Sequence, residues 1–81
     1  MGGIITMAKT EDINVTIEKH IGVLSKNEKS NWQKELNLVS WNNNPAKYDI
    51  RDWSPEHDKM SKGITLSDEE IAALKSILTT I

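Results

Sequence analysis

The stretch that decides the fold is Lys62-Gly-Ile-Thr-Leu-Ser-Asp-Glu-Glu70, which lies in the last third of the chain. Ile64 and Leu66 alternate with small or polar residues, the period-two pattern of a strand with its apolar side chains directed inward. Ser67 and Glu70 then have the spacing of a capping box, in which two side chains satisfy backbone N–H groups at a helix start. The sequence therefore predicts a short strand that runs directly into a helix.

The predicted helix carries an apolar stripe that its own small domain cannot fully cover. Large aliphatic residues recur every three or four positions, the spacing of one helix face. One helix cannot cover both faces of a sheet, and a domain of this size has little core of its own. We therefore expect a homodimer that forms through the helices, with an interface made by Ile71, Leu74, Ile77, Leu78 and Ile81.

Upstream of this segment, the stretch from Lys47 to Trp53 alternates and predicts another strand. One face carries Tyr48 and Ile50, and the other carries Lys47, Asp49, Arg51 and Trp53. Residues 32–41 predict a strand as well. A short helix over 32–38 is the alternative, because apolar residues occur at both odd and even positions of this segment. The run of three asparagines and a proline at 42–45 predicts the turn between these two strands.

The first strand of the domain is predicted over residues 13–25, where Ile13, Val15 and Ile17 alternate. The alternation slips near Gly22, which predicts a bulge or bend. The polar run 26–31 predicts a hairpin loop. The expected fold class is α+β, a four-stranded antiparallel sheet followed by one C-terminal helix, over residues 13–81. Residues 1–12 are expected to form a disordered leader.

Length and composition exclude several classes of protein. A chain of 81 residues is long enough for one domain. It has no cysteine, which excludes a disulfide framework and a thiolate metal site. No stretch approaches the ~20 apolar residues of a membrane span, and no segment has the pattern of a secretory signal. We expect a cytoplasmic protein without a membrane partner.

The sequence offers little that could perform catalysis. His57 lies between Glu56 and Asp58 and could bind a metal or move a proton, but a polar loop of this kind is more often simply solvated. His20 lies alone on a predicted strand, and Asp49 and Asp52 have no third carboxylate at a useful spacing. We expect no enzymatic activity, no catalytic residue, no metal and no cofactor.

The charges are distributed unevenly along the chain. The formal net charge is −2, which by itself argues against a nucleic-acid partner. However, residues 19–66 hold eight basic and six acidic residues, whereas 1–18 and 67–81 each hold one basic and three acidic residues. The predicted sheet is therefore net positive by two.

All three tryptophans, Trp32, Trp41 and Trp53, lie in this basic segment. Single-stranded nucleic acids expose base faces that stack on aromatic side chains, while lysine and arginine neutralise their phosphates. Lys47, Arg51 and Trp53 share one parity, so they would line one face of the sheet. The alternative is that the tryptophans form the core and the lysines only solvate its edges.

Two ordered motifs point to a known family. Tyr48-Asp-Ile-Arg-Asp-Trp53 is followed by a polar loop and then by Lys62-Gly-Ile-Thr-Leu-Ser67 before the helix. This order resembles the C-terminal domain of the positive-cofactor-four transcriptional coactivators. Trp32 to Asn42 and Trp53 to Pro55 are similar to the YdbC-like bacterial branch of that family. The resemblance covers roughly residues 13–81.

The resemblance implies a dimer whose paired sheets form grooves for single-stranded DNA. It places a base-stacking aromatic at Trp41 and basic contacts at Arg51 and at Lys62-Gly63. Lys34 and Lys47 lie on the two strands of the hairpin that corresponds to the family's. Trp53 corresponds to an aromatic pair of the wider family. The candidate nucleic-acid-binding residues are Trp32, Lys34, Trp41, Lys47, Arg51, Trp53, Lys62 and Gly63.

Several alternatives stay open at this point. Arg51 has acidic neighbours at 49 and 52 and could equally be a structural salt-bridge partner. Gly63 could permit a strand bend or let a phosphate approach the backbone. The bound strand could be DNA or RNA, with a role in transcription regulation or strand protection. The alternative function is a dimeric protein-interaction or regulatory module whose groove binds a peptide.

Overall fold

The computed structural model describes residues 4–6 and 14–81. They form one antiparallel sheet, in which the strands neighbour each other in chain order, and a C-terminal helix. The elements are β1 (Ile4–Thr6), β2 (Val15–Lys26), β3 (Gln33–Trp41), β4 (Lys47–Trp53), β5 (Met60–Leu66) and α1 (Asp68–Leu78). The expected arrangement of four antiparallel strands followed by a helix is confirmed.

The sheet has a fifth, short strand that the sequence analysis did not predict. Ile4–Thr6 pairs with Val15–Ile17 at the edge of the sheet, so the expectation of a disordered leader over residues 1–12 needs correction at these three positions. The backbone of β1 pairs with the edge of β2. Without β1, the N–H and C=O groups at this edge would be unpaired. Residues 1–3 and 7–12 of the expected leader lie outside the described residues.

Residues 33–41 of the predicted segment form a strand, and no helix is present there. β3 pairs with β2 on one side and with β4 on the other, and these two ladders hold its backbone extended. β2 is irregular, with register shifts between 17 and 19, 20 and 22, and 23 and 25. The middle shift confirms the bulge expected near Gly22. Such bulges bend and twist a strand, which blunts an edge strand against further pairing.

The register separates the side chains of the sheet onto two faces. On the face that we call the core face, Val15 and Ile17 of β2 lie opposite Trp41 and Val39 of β3. On the face that we call the helix face, Leu36 of β3 lies opposite Ile50 of β4, and Ile50 lies opposite Ile64 of β5. α1 contacts β4 and β5, and Leu36 and Tyr48 lie beside it.

The hydrophobic core is small and lies on the core face. It consists of Val15, Ile17, Val39 and Trp53, with Trp41 and Met60 packed against it. The loop after β4 adds to its cover, since the imidazole of His57 stacks on Trp53 with 5.6 Å between ring centroids. Burial of these side chains stabilises the loop in its position over the core face.

Polar side chains are buried beside this core, and each has partners. Glu35 is 1% exposed and accepts hydrogen bonds from Nε2 of His57 at 2.9 Å, Nε2 of Gln33 at 3.0 Å and Nδ2 of Asn37 at 3.1 Å. The Asn37 side-chain oxygen lies 2.8 Å from Nδ1 of His20. A buried carboxylate is tolerated only with such partners, so this network ties the 54–59 loop to β3.

α1 begins as predicted and covers the sheet incompletely. Ser67 accepts from the Glu70 backbone N–H at 3.1 Å, and Glu70 accepts from the Ser67 backbone N–H at 2.8 Å, which confirms the capping box. No residue of α1 is fully buried. Across the described chain, no helix has both the length and the apolar character needed to cross a membrane.

Candidate nucleic-acid interface

The register divides the predicted binding residues between the two faces of the sheet. Arg51 of β4 lies opposite Gly63, and Lys47 lies opposite Val39, which places these residues on the core face. Lys34 of β3 lies opposite Asp52 and therefore points to the helix face. The core face thus holds Trp41, Lys47, Arg51, Trp53 and Gly63, and the helix face holds Trp32, Lys34 and Lys62. The eight residues do not form one continuous patch on a single chain.

Arg51 is held in a fixed position by Asp49. Its Nε and Nη2 donate to the two carboxylate oxygens of Asp49 at 2.6 and 2.8 Å, and its Nη1 donates to the Ser61 carbonyl at 3.2 Å. Asp49 is fully buried, and the Arg51 side chain is 12% exposed. A two-point bond between guanidinium and carboxylate fixes both distance and plane. Of the two roles open for Arg51, the salt bridge is present.

The guanidinium of Arg51 in turn holds Trp41. Its central carbon lies 4.6 Å from the centroid of the Trp41 ring, within the range of a cation–π contact. Trp41 is the last residue of β3, and Asn42 and Asn43 follow it with φ of 53° and 65°, the left-handed conformation that asparagine tolerates in tight turns. Trp41 is partly buried, with its indole Nε1 buried and its side chain packed against the core, and exposed Lys47 lies on the same face, opposite Val39.

Trp53 was predicted to contact nucleic acid, but the structure places it in the core. Its side chain is 0% exposed and belongs to the cluster with Val15, Ile17 and Val39. The parity of β4 correctly put Trp53 on the face of Arg51. The 54–59 loop folds over this part of the face and buries Trp53. Period-two alternation shows which face a side chain lies on, but not whether a loop covers that face. A base has no access to this ring in the folded chain.

Gly63 has a packing role in the contact between β5 and β4. A Cβ at this position would collide with the Cβ of Arg51 and with the carbonyl oxygen of Ile50. The absence of a side chain therefore lets β5 pair closely with β4 at Arg51. The structure gives a reason for glycine here that requires neither a bend nor a phosphate.

Two of the helix-face residues, Trp32 and Lys34, lie together at the β2–β3 hairpin. Lys34 forms an ion pair with Asp52 at 3.3 Å, and both side chains are well exposed. Trp32 is partly buried and lies with Lys34 in a pocket that also includes Lys26. Lys26 was not among the predicted residues, because its proximity depends on the pairing of β2 with β3. Lys62 is exposed on β5.

Comparison with known proteins identifies the family. A family model described as Transcriptional Coactivator p15 (PC4) matches residues 28–77, more than half of the chain. The chain belongs to the PC4 family. A protein of Treponema pallidum (strain Nichols), described as an uncharacterized protein, is 40% identical to it over 80 residues, which cover 99% of this chain and 88% of the relative. The resemblance seen in the sequence is confirmed, and a bacterial relative is consistent with the bacterial branch.

The PC4 match includes every residue predicted to bind nucleic acid, from Trp32 to Gly63. It also includes most of the apolar stripe of α1. Ile71 and Leu74 are partly buried, and they line a groove between α1 and the sheet together with Ile21, Leu36, Tyr48 and Leu78. Ile77, Leu78 and Ile81 are 60%, 51% and 95% exposed.

Within residues 4–6 and 14–81, no three or more histidine, cysteine, aspartate or glutamate side chains are arranged to hold a metal ion. His57, singled out in the sequence with Glu56 and Asp58, instead turns toward Glu35 and Trp53. Its φ of 59° is the left-handed conformation that allows the loop to make this contact.

Proposed function

We propose that this chain binds single-stranded DNA with little sequence preference, as a homodimer, in transcription regulation or strand protection. The observation that carries the proposal is the Trp41 ring, which Arg51 and Asp49 hold in place beside exposed Lys47. Membership in a family of transcriptional coactivators supports the same function. Single-stranded RNA offers the same base faces and phosphates and is the alternative ligand.

Of the two tryptophans on the core face, Trp41 is the one that is not fully buried, which makes it the candidate for stacking on an unpaired base. Each stacked base contributes about 1–3 kcal/mol whatever its identity, because every base has a π-face. A ring that is already ordered loses little conformational entropy when a base binds. The bond between Arg51 and Asp49 leaves the guanidinium partly neutralised, so Arg51 acts on binding mainly through Trp41. Exposed Lys47 on the same face and exposed Lys62 on the helix face supply charge for phosphates, whereas Lys34 is paired with Asp52.

Replacing Trp41 with alanine should weaken binding of a mixed-sequence single strand by about tenfold to a hundredfold, the loss of one stacked base. Fluorescence anisotropy of a labelled oligonucleotide measures this. Binding by the unchanged protein should also weaken as salt rises, with a logarithmic slope of about −0.7 for each phosphate contact. Trp41→Phe keeps an aromatic ring, so its affinity should lie between that of Trp41→Ala and that of the unchanged protein.

Thermal unfolding of each variant separates lost contacts from lost structure, since Trp41 also packs against the core. Two results would contradict the proposal: no salt-sensitive binding at micromolar protein, or equal affinity of the folded Trp41→Ala variant and the unchanged protein.

The homodimer is proposed from the apolar surface that α1 leaves uncovered. Ile77, Leu78 and Ile81 are exposed beside the groove lined by Ile71 and Leu74, so their stripe has no cover within the described chain. A second copy would bring an identical stripe, and a two-fold dimer pairs the same surface from both subunits. This arrangement would also supply the core that so short a chain lacks.

Leu78→Lys should convert the dimer into a monomer, because the interface would have to bury an unpaired charge. Ser76→Lys is the matched control, since it places the same charge two residues away at another exposed position of α1. Sedimentation equilibrium at tens of micromolar protein measures both. A dimer that persists in Leu78→Lys, or a monomer in the unchanged protein, would overturn this interface.

The second candidate function is a protein-interaction or regulatory module. The groove between α1 and the sheet favours it, because Ile21, Leu36 and Leu74 could accept the apolar face of a peptide. A monomer in solution that does not bind oligonucleotides would favour this function over the first.

A further inference from the structure

We propose that the β2–β3 hairpin contains a second nucleotide-binding pocket, separate from the Trp41 surface and on the opposite face of the sheet. It is lined by Ser25, Lys26, Trp32, Lys34 and Asp52, together with the hairpin loop. This inference rests on the proposed function, because its ligand is a nucleotide of a single strand.

The walls of the pocket come from three neighbouring strands. Ser25, Lys34 and Asp52 lie directly opposite one another across β2, β3 and β4, so their side chains form a row on the helix face. The open space beside them has a volume of about 460 Å³. Sites for small molecules typically have volumes of about 300–1,000 Å³. The pocket is therefore large enough for a single nucleotide.

The loop that closes the pocket is held by its own hydrogen bonds. The Asn27 side-chain oxygen accepts from the backbone N–H groups of Lys29 at 2.9 Å and Ser30 at 3.0 Å. The Asn27 backbone N–H donates to the Trp32 carbonyl at 2.8 Å. Asn31 takes φ of 64°, which returns the chain toward β3. A loop fixed in this way keeps Trp32 in position before a ligand arrives.

The chemistry of the lining matches the parts of a nucleotide. Trp32 is partly buried and offers an aromatic surface to a base. Lys26 and Lys34 can neutralise a phosphate. Lys34 now pairs with Asp52 at 3.3 Å, and with 46% and 39% of the two side chains exposed this ion pair is weak. A phosphate can therefore replace Asp52 as the partner of Lys34, and the freed carboxylate can accept a hydrogen bond from a sugar or base.

The pocket and Trp41 lie on opposite faces of the sheet, because successive side chains of β3 alternate between its two faces. The pairing of β3 with β4 is regular from Gln33 to Val39, so Lys34 and Trp41 project from opposite faces. Trp32 and Trp41 are also nine residues apart, about 30 Å along an extended strand. A short oligonucleotide bound at one tryptophan cannot reach the other on the same chain. The two sites should therefore fill separately.

Fluorine NMR of the full-length, fluorotryptophan-labelled protein tests this inference. Titration with tetrathymidylate should shift the resonances of Trp32 and Trp41 at different ligand concentrations and leave that of buried Trp53 nearly unchanged. Trp41→Ala should abolish the Trp41 signal without changing the titration of Trp32. Trp32→Ala should remove the second binding event, a loss of at least about tenfold in affinity for that site.

A charge variant tests the pocket without removing an aromatic ring. Asp52→Asn should raise the affinity measured at the Trp32 resonance by severalfold, because Lys34 loses its competing partner. Glu69→Gln, the matched control, removes the same charge from exposed α1 and should leave that affinity unchanged.

The outcomes separate this inference from the proposed function. Binding that shifts Trp41 and leaves Trp32 unmoved would overturn the second pocket and leave the proposed function in place. Loss of the Trp32 shift in folded Trp41→Ala would show one continuous site and would also overturn it. Absence of any oligonucleotide binding would refute both.

Discussion

Asp49→Asn should destabilise the folded protein by about 3–5 kcal/mol, the cost of removing one partner from a buried ion pair. Asp49 has no exposed surface and binds the guanidinium of Arg51 through both carboxylate oxygens. Its Oδ2 also accepts from the Thr65 hydroxyl at 3.1 Å, so the same side chain joins β4 to β5. Asparagine has nearly the same shape but leaves the Arg51 charge without a counter-ion in a largely buried position. Urea unfolding followed by circular dichroism measures the change.

Asp52→Asn is the matched control for this prediction, because it removes the same charge from the same strand. Its ion pair with Lys34 is exposed, so the free energy of unfolding should change by less than about 1 kcal/mol. Equal stability losses in the two variants would show that the Arg51–Asp49 bond has no special structural role. A folded Asp49→Asn variant should also show altered Trp41 fluorescence, since Arg51 would no longer be held over that ring.

Trp53→Ala should cost about 3–5 kcal/mol of stability, the range for removal of a large aromatic side chain from a core. Trp53 is the largest buried side chain, and the imidazole of His57 stacks on it. Domains are typically stable by about 0.05–0.15 kcal/mol per residue, so this loss is a large part of the total for a chain of 81 residues. The variant should be mostly unfolded under mild denaturing conditions, as measured by urea or thermal unfolding.

Trp53→Phe separates the core role of this residue from the predicted nucleic-acid contact. Phenylalanine fills much of the space and removes a buried indole N–H that has no hydrogen-bond partner within the described residues. This variant should fold, with a smaller stability loss, and should bind a single-stranded oligonucleotide with nearly unchanged affinity. A folded Trp53→Phe protein whose affinity falls tenfold would restore Trp53 to the binding surface.

Local patterns in the sequence were enough to predict most elements of the fold. The capping box at Ser67 and Glu70 located the start of α1, since such caps act within one helical turn. The alternation from Lys47 to Trp53 predicted β4 with its observed bounds. β1 was missed because three residues carry too little periodicity, and its pairing with β2 is a long-range contact. The competing helix at 32–38 was excluded only by the two ladders that flank β3.

The candidate site was only partly predictable. The alternation of β4 correctly grouped Lys47, Arg51 and Trp53 on one face. It could not distinguish the exposed Lys47 from the buried Trp53, since burial depends on the loop that carries His57. The pocket at the β2–β3 hairpin was not predicted, because Ser25, Lys34 and Asp52 come from three strands and meet only through their register.

The sequence by itself determined the order of elements, the cap of α1, the family, and a basic, tryptophan-bearing middle segment in a chain of net charge −2. These features are local or compositional, so they can be read without knowing which residues meet. Only the tertiary structure decided what each tryptophan does: Trp53 fills the core, Arg51 holds Trp41, and Trp32 lies across the sheet from both. The reason is physical, because burial and charge pairing depend on strand register and on the loop that covers the core face.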